Sequence, residues 1–303
     1  MDHRESRAEK FYVSFLAYAE RLFNGFACGS TLDFESIQKM IKMAYEYVRL
    51  DHNHMVYLMQ TAKRYKNPHV SHAVRGTMTA LIIGSTMKLP RHRLLEVGVA
   101  CLLGNISVLS LPGWIYTSED GGFDLLKKGG EKETKLLYDH PVNAYNTLKL
   151  SRFPLSICEA VLQHHELEDG SGFPQQLKGD AIGLYAKILA VAGFYEAFSM
   201  NNIDGEKCGH NGVVRILKNS GCFDTSVIRA LVDSISIYPI GVCVLLSNGE
   251  RGQVVDIDRE NPRFPIVKVF GKQPPYDMVK TSGELSIARP LTSEEVDDSV
   301  ETK

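Results

Sequence analysis

Two stretches of this chain, residues 74–87 and 94–103, are apolar round almost the whole circumference of a helix. An amphipathic helix can rest on a surface, but one with almost no polar face has to be surrounded. The rest of the chain must therefore supply helices to enclose these two, and 303 residues are enough to build a substantial core. Residues 1–66 provide part of that cover. Phe11, Phe15, Leu16, Ala19, Leu22, Phe23 and Phe26 recur at spacings of three and four, which draws one apolar helix face. Ser30, Thr31, Leu32 and Asp33 offer a capping box for a second helix carrying Phe34, Ile37, Ile41, Ala44, Tyr45 and Val48 on one side. A third helical segment is expected over residues 55–65, closing in the polar run Lys63, Arg64, Tyr65, Lys66, Asn67, Pro68.

The helical period continues over residues 67–236. Residues 114–130 break it, punctuated by the pairs Gly121–Gly122 and Gly129–Gly130. Pro141 suits the first turn of a helix, which would leave His140 just outside its start. Helices are expected over residues 155–165, 181–200, 213–218 and 225–235, with a polar, glycine-bearing stretch over 201–212. After Tyr238 and Pro239 the period changes to two. Residues 242–246 and 252–257 flank Asn248–Gly249 as a hairpin, and residues 265–270 and 284–288 supply further strands. The expected architecture is an all-α helical body with a small C-terminal antiparallel β subdomain. Its parts are an N-terminal helical region (1–66), a helical domain (67–236), a β subdomain (237–292) and a frayed acidic tail (293–303).

Charge narrows the functional classes. Lys plus Arg (34) nearly balance Asp plus Glu (36), so a DNA or RNA binder held by bulk positive charge is not expected. No apolar run reaches the ~20 residues that span a bilayer, and the polar start MDHRESRAEK is no secretory signal. The six cysteines are scattered without a CxxC pair, and Cys101, Cys158 and Cys243 sit in apolar runs as expected buried thiols. Together these features place the chain in the cytoplasm.

Ten histidines carry the chemical signal. His164 falls on the apolar face of its helix with Ile157, Ala160 and Val161, and His165 lies about 100 degrees round the axis. Both run into Glu166 and the turn Asp169, Gly170, Ser171, Gly172, Phe173, Pro174, where glycines let the backbone approach a ligand closely. Two metal ligands beside a tight turn is one reading, and two capping histidines beside a solvated turn is the other.

The segment HHELEDGSGFP, residues 164–174, closely resembles the HD-GYP signature HHExxDGxGYP, departing from it only in Phe173 for Tyr. The resemblance extends to Asn67–His72, which is similar to the segment bearing the family's first histidine, and to Asp139-His140-Pro141. It continues to residues 186–192, AKILAVA, which resemble the family's A-x-I-L-x-V-A-D helix, and to the strands after Tyr238. It implies an all-α HD-domain helical bundle. Active members of that family hydrolyse cyclic di-GMP with two or three metal ions, commonly iron or manganese.

The same resemblance locates the departures. Where the family has LLHDIGKxGIP, this chain reads LLGNISVLSLP over residues 102–112. Gly104 replaces the namesake His, Asn105 the metal-bridging Asp, and Val108 the Lys, while Gly193 replaces the Asp of V-A-D. No P-Y-R element follows; Cys208, Gly209 and His210 stand near its place. Glu196 falls at an acidic family position, either as a vestige or as a group that orients a histidine. Preserved are His72, His140, His164 and His165.

Two dications about 3.5–4 Å apart repel by roughly 15–20 kcal/mol at an effective dielectric near 20. A bridging carboxylate offsets much of that, and the neutral Asn105 amide does not. A dinuclear centre is therefore not expected. His140, His164 and His165, the family's set for the second ion, could hold one divalent ion (Fe, Mn or Zn), with a weak contribution from Asn105; His72 alone remains at the first position. The expected function is a degenerate HD-GYP regulatory or interaction module in cyclic di-GMP signalling. Cyclic di-GMP and a diguanylate cyclase domain are its candidate partners, met at Glu166, Asp169, Gly170, Gly172, Phe173 and Pro174. The alternative is a cyclic di-GMP phosphodiesterase with a reduced, mononuclear site. His52 and His54 are expected to be solvent-exposed, and Lys63, Arg64, Lys66, Lys88, Arg91, His92 and Arg93 to form a solvated basic face or contact phosphate.

Overall fold

The structure is a computed structural model that describes residues 6–61, 65–109, 131–200, 209–258, 261, 264–281, 284–291 and 295–296. Several expectations lie outside the described residues: those for 114–130, for 201–208 with Cys208, for Lys63 and Arg64, for Ser110, Leu111 and Pro112, and for all of the tail but 295–296.

Ten α-helices are described: α1 (Arg7–Ala27), α2 (Phe34–Leu50), α3 (His52–Thr61), α4 (Pro68–Thr86), α5 (Arg91–Leu103), α6 (Glu131–Leu150), α7 (Leu155–Gln163), α8 (Leu184–Met200), α9 (Gly209–Lys218) and α10 (Thr225–Ile235). The all-round apolar segments behave as their composition requires. Every residue of α4 from Ala73 to Gly84 is buried, because α4 packs against α1, α2, α5, α8 and α10. One core runs from Ala8 in α1 to Ile235 in α10, so the N-terminal helices bury their Phe11, Phe15 and Phe23 in the same interior as α4 and α8.

Local sequence sets the helix ends, though not always where expected. Ser6 caps α1 through a capping box with Glu9. The cap of α2 is Asp33, whose carboxylate accepts from Glu35 N–H, rather than a box beginning at Ser30. Asn67 caps α4 by accepting from His69 and Val70 N–H, with Pro68 in the first turn.

The largest departure concerns Pro141. It lies inside α6, which continues through it from Glu131 to Leu150. Proline has no N–H to give the carbonyl four residues back, here Leu137. That carbonyl instead accepts from the Nδ1–H of His140. The helix survives because the neighbouring histidine satisfies the group that proline leaves orphaned.

The chain ends in a five-stranded antiparallel sheet of order β4-β3-β2-β1-β5: β1 (Cys243–Leu246), β2 (Arg251–Asp256), β3 (Ile266–Val269), β4 (Tyr276–Asp277) and β5 (Ile287–Pro290). The hairpin turns at Asn248–Gly249, where Gly249 takes φ +84, and sets Val244 opposite Gly252. Val244, Leu246, Val254, Val267 and Val269 share the buried face, and Tyr57 of α3 packs against both this core and the helical one.

His52 and His54 are half-buried tethers rather than exposed side chains. His52 Nε2 lies 2.9 Å from the Ser234 carbonyl at the end of α10, and His54 Nε2 lies 3.0 Å from Ser6 Oγ. Of the expected buried cysteines, Cys158 is buried while Cys101 and Cys243 are half-buried; all described cysteines are free thiols. No helix among the described residues is long and apolar enough to cross a membrane.

Candidate metal and loop site

Helix α7 ends at Gln163, with His164 as its C-cap, so the tandem histidines sit in the turn that follows rather than on the last helical turn. His164 Nδ1 lies 2.6 Å from the Val161 carbonyl, one of the carbonyls a helix C-terminus leaves without an intrahelical donor. His140 reaches the same condition from inside α6, through Pro141 and Leu137. A carbonyl can only accept, so both Nδ1 atoms carry the proton. Burial depresses both imidazoles, that of His164 to about 4 and that of His140 well below its ordinary value, where the adjacent His164 adds to the effect. Both rings are therefore neutral, with bare Nε2 lone pairs.

Those two Nε2 atoms face one another 3.2 Å apart. Two lone pairs at that distance repel unless something positive lies between them. Two nitrogens bound at 2.0–2.1 Å to a tetrahedral zinc ion would be about 3.3 Å apart. His165 completes the group, its ring centroid 4.1 Å from that of His164 and 4.9 Å from that of His140. One ligating atom from each of the three lies within 4.8 Å of the others. The three imidazoles fit a divalent ion on donor type, protonation and spacing, and they could hold one.

His72 of α4 is half-buried nearby. Burial holds its imidazole down to about 3, reinforced by His164, His69 and Arg75. The remaining expected positions differ in what surrounds them. A Cβ added at Gly104 would lie 3.7 Å from His164 Cδ2, so this position borders the cluster. A Cβ added at Gly193 would meet nothing within 4 Å. Val108 is buried, and Asn105 is half-buried beside it; Ser107 between them donates from Oγ to the His140 carbonyl at 2.8 Å.

Glu196 neither orients a histidine nor stands idle. It is fully buried and accepts from Arg75 Nε at 2.6 Å and from Thr79 Oγ1 at 2.8 Å. Arg75 also donates to the Met59 carbonyl. Burial works against the Arg75 charge, but the adjacent Glu196 more than offsets it and holds the guanidinium charged. This pair ties α4 to α8 across 121 positions of sequence. Periodicity carries no signal for such a partnership.

The turn after the histidines is held by Glu166. Only 2% exposed, it accepts from the Gln175 and Leu177 N–H groups at 2.6 and 2.9 Å. Gly170 takes φ +82. A Cβ on Gly172 would lie 2.4 Å from the His165 carbonyl and 2.5 Å from Leu167 N, so only glycine permits that approach. The approach allows Phe173 N–H to donate to the His165 carbonyl at 3.1 Å. Asp169 is exposed and accepts from the Ser171 N–H and hydroxyl, which hold its carboxyl below the usual range. Pro174 follows Phe173 at the half-exposed rim of the loop.

Of the basic groups, Arg91 pairs with Glu46 at 2.8 Å and lies over the Tyr45 ring, and Lys66 lies 3.6 Å from Glu20. Neither belongs to the histidine site.

Residues 57–227 match the HD domain family. The chain is similar to a cyclic di-GMP phosphodiesterase of Borreliella burgdorferi, 26% identical over 68% of this chain and 53% of the relative. It is also similar to a cyclic di-GMP phosphodiesterase of Pseudomonas aeruginosa, 32% identical over 70% of this chain and 49% of the relative. The chain thus spans about half the length of these curated relatives. Among solved structures, an HDG"Y"P protein from Bdellovibrio bacteriovorus shares the fold, with a TM-score of 0.60 at 14% identity over 77% of this chain and 74% of that one.

Proposed function

Because the chain belongs to the HD-domain family, we propose that it serves cyclic di-GMP signalling as a regulatory or interaction module that keeps one metal position and has lost efficient two-metal hydrolysis. One observation carries the reading: the positions lining the two sides of the site have opposite chemistry. His140 and His164 face each other through bare Nε2 atoms, and a ring nitrogen of His165 lies within 4.8 Å of theirs. Gly104, Asn105 and Gly193, which stand where the HD-GYP signature has metal-binding side chains, bring no anion. Two dications there would face roughly 15–20 kcal/mol of repulsion with no carboxylate between them. Val108 likewise puts an apolar side chain where the signature has a cationic lysine, so no ammonium stands there to meet a leaving oxygen.

His140, His164 and His165 would hold the single ion, with Asn105 as an additional weak donor. Such an ion supplies Lewis acidity toward a phosphate oxygen. The chain's own contribution is to gather three neutral imidazoles within 4.8 Å of one another and to present the turn from Asp169 to Pro174 beside them. That turn is the proposed meeting point for cyclic di-GMP or for a protein partner, of which a diguanylate cyclase domain is the one we favour.

The bare, converging nitrogens also favour a second reading, a mononuclear metal-dependent phosphodiesterase acting on cyclic di-GMP. Metal analysis of protein purified without chelator, paired with a cyclic di-GMP turnover assay under Mn and Fe supplementation, separates the two. The module reading expects about one ion per chain, removed by His164→Ala, with cyclic di-GMP bound but not turned over. Turnover that disappears in His164→Ala would establish the second reading instead. Two ions per chain would overturn the one-metal assignment.

A further inference from the structure

The three histidines are not held in the same way. His140 and His164 are each fixed through Nδ1 by a carbonyl of their own helix, Leu137 and Val161. Among the described residues no hydrogen bond fixes the ring of His165. Its ring contacts among the described residues are with the aromatic rings of Phe173, His140 and His164. Phe173 stacks on it with centroids 4.7 Å apart and planes 15° apart. His140 and His164 meet it at 81° and 43°.

We propose that Phe173 is the positioning residue for His165, replacing by stacking the hydrogen bond that orients the other two imidazoles; the inference rests on the one-metal reading above. Metal-bound histidines ordinarily take their orientation from a hydrogen bond to the second ring nitrogen. Here a flat ring does that work, and Phe173 is itself fixed on three sides. Its N–H donates to the His165 carbonyl, so backbone and side chain of the two residues are clamped together. Tyr138 of α6 meets its ring edge-on at 4.8 Å and 62°. His140 lies edge-on at 6.3 Å and 74°. Gly172 permits the clamp, and Glu166 holds the strand of chain that returns from it. Turning the imidazole about its Cβ–Cγ bond would break this face-to-face contact, so the stacking holds the ring plane.

The test uses the whole 303-residue chain and Co(II) alone as the probe. Phe173→Leu keeps an apolar side chain of similar bulk but removes the flat surface, and Phe173→Tyr keeps the surface. Phe173→Leu is expected to weaken Co(II) affinity about 10–100-fold and to alter the visible absorption of the bound ion. Phe173→Tyr is expected to retain both properties. Undiminished affinity and an unchanged spectrum in Phe173→Leu would overturn the inference while leaving the metal site standing. Failure of the wild-type protein to bind Co(II) would overturn the site reading, and the inference with it. Proton NMR of the metal-free wild-type protein gives a readout that does not depend on the variant folding: the ring current of Phe173 should move the His165 ring protons upfield. Their appearance at ordinary imidazole positions would also overturn the inference.

Discussion

On the α6–α7 side of the site, every imidazole has a support reaching into the backbone: Leu137 for His140, Val161 for His164, the Phe173 clamp for His165. On the α5–α8 side, Gly104 brings no side chain to the edge of the cluster and Gly193 borders open space. The difference lies in what substitution costs the fold. A Cβ added at Gly104 or Gly193 would meet no neighbour closer than 3.4 Å. Replacing Gly172 or Glu166 would disturb a backbone crossing. The residues proposed to hold the ion are thus tied into the chain's path, whereas Gly104 and Gly193 carry no side chain to be tied.

That contrast can be broken most directly by refilling the empty side. A Cβ at Gly104 meets its neighbours at 3.4 Å or more, and one at Gly193 meets nothing within 4 Å. The triple variant Gly104→His, Asn105→Asp, Gly193→Asp is therefore expected to fold and to raise the metal content to about two ions per chain. Elemental analysis after Mn loading checks it. A folded triple variant still holding a single ion would show that the missing anions are not what separates the two sides.

A smaller effect sharpens the boundary between ligand and scaffold. Glu196→Gln leaves the Arg75 guanidinium buried without its counter-charge, and should cost about 3–5 kcal/mol of stability in urea titration. Metal content of the folded variant should be unchanged, because Glu196 is occupied by Arg75 and Thr79 rather than by the cluster. Loss of metal with little loss of stability would place Glu196 among the ligands.

The mildest test addresses the supported side. Gly172→Ala drives a Cβ into the His165 carbonyl and Leu167 N, which should cost about 1–3 kcal/mol and weaken Co(II) binding by displacing the clamp. Unchanged stability and affinity would mean that the crossing of chain at Gly172 does not govern the ligand beside it.

Much of this was readable in the sequence because it is written locally. The all-round apolar runs announced α4 and α5 as central, and the change from helical period to alternation after Pro239 marked the sheet. The motif from His164 to Pro174 marked the site, since its glycines and histidines are adjacent in the chain. Other features depend on partners that sequence spacing does not reveal. Pro141 read as a helix start because an interior proline normally ends one, and only the His140 side chain rescues the orphaned carbonyl. Arg75 and Glu196 meet through the packing of α4 on α8, and His52 and His54 find Ser234 and Ser6 through the closure of the bundle. Two histidines two apart on a polar segment carry no sign of such distant acceptors.

The proline inside α6 has an implication for heredity as well as for geometry. By withholding a proton from one peptide carbonyl, it decides which nitrogen of the preceding imidazole is left with an unshared pair. Histidine and proline at 140 and 141 therefore form a single structural character spread over two codons. In chains descended from a common ancestor, a change at the second position would alter the chemistry of the first without touching it.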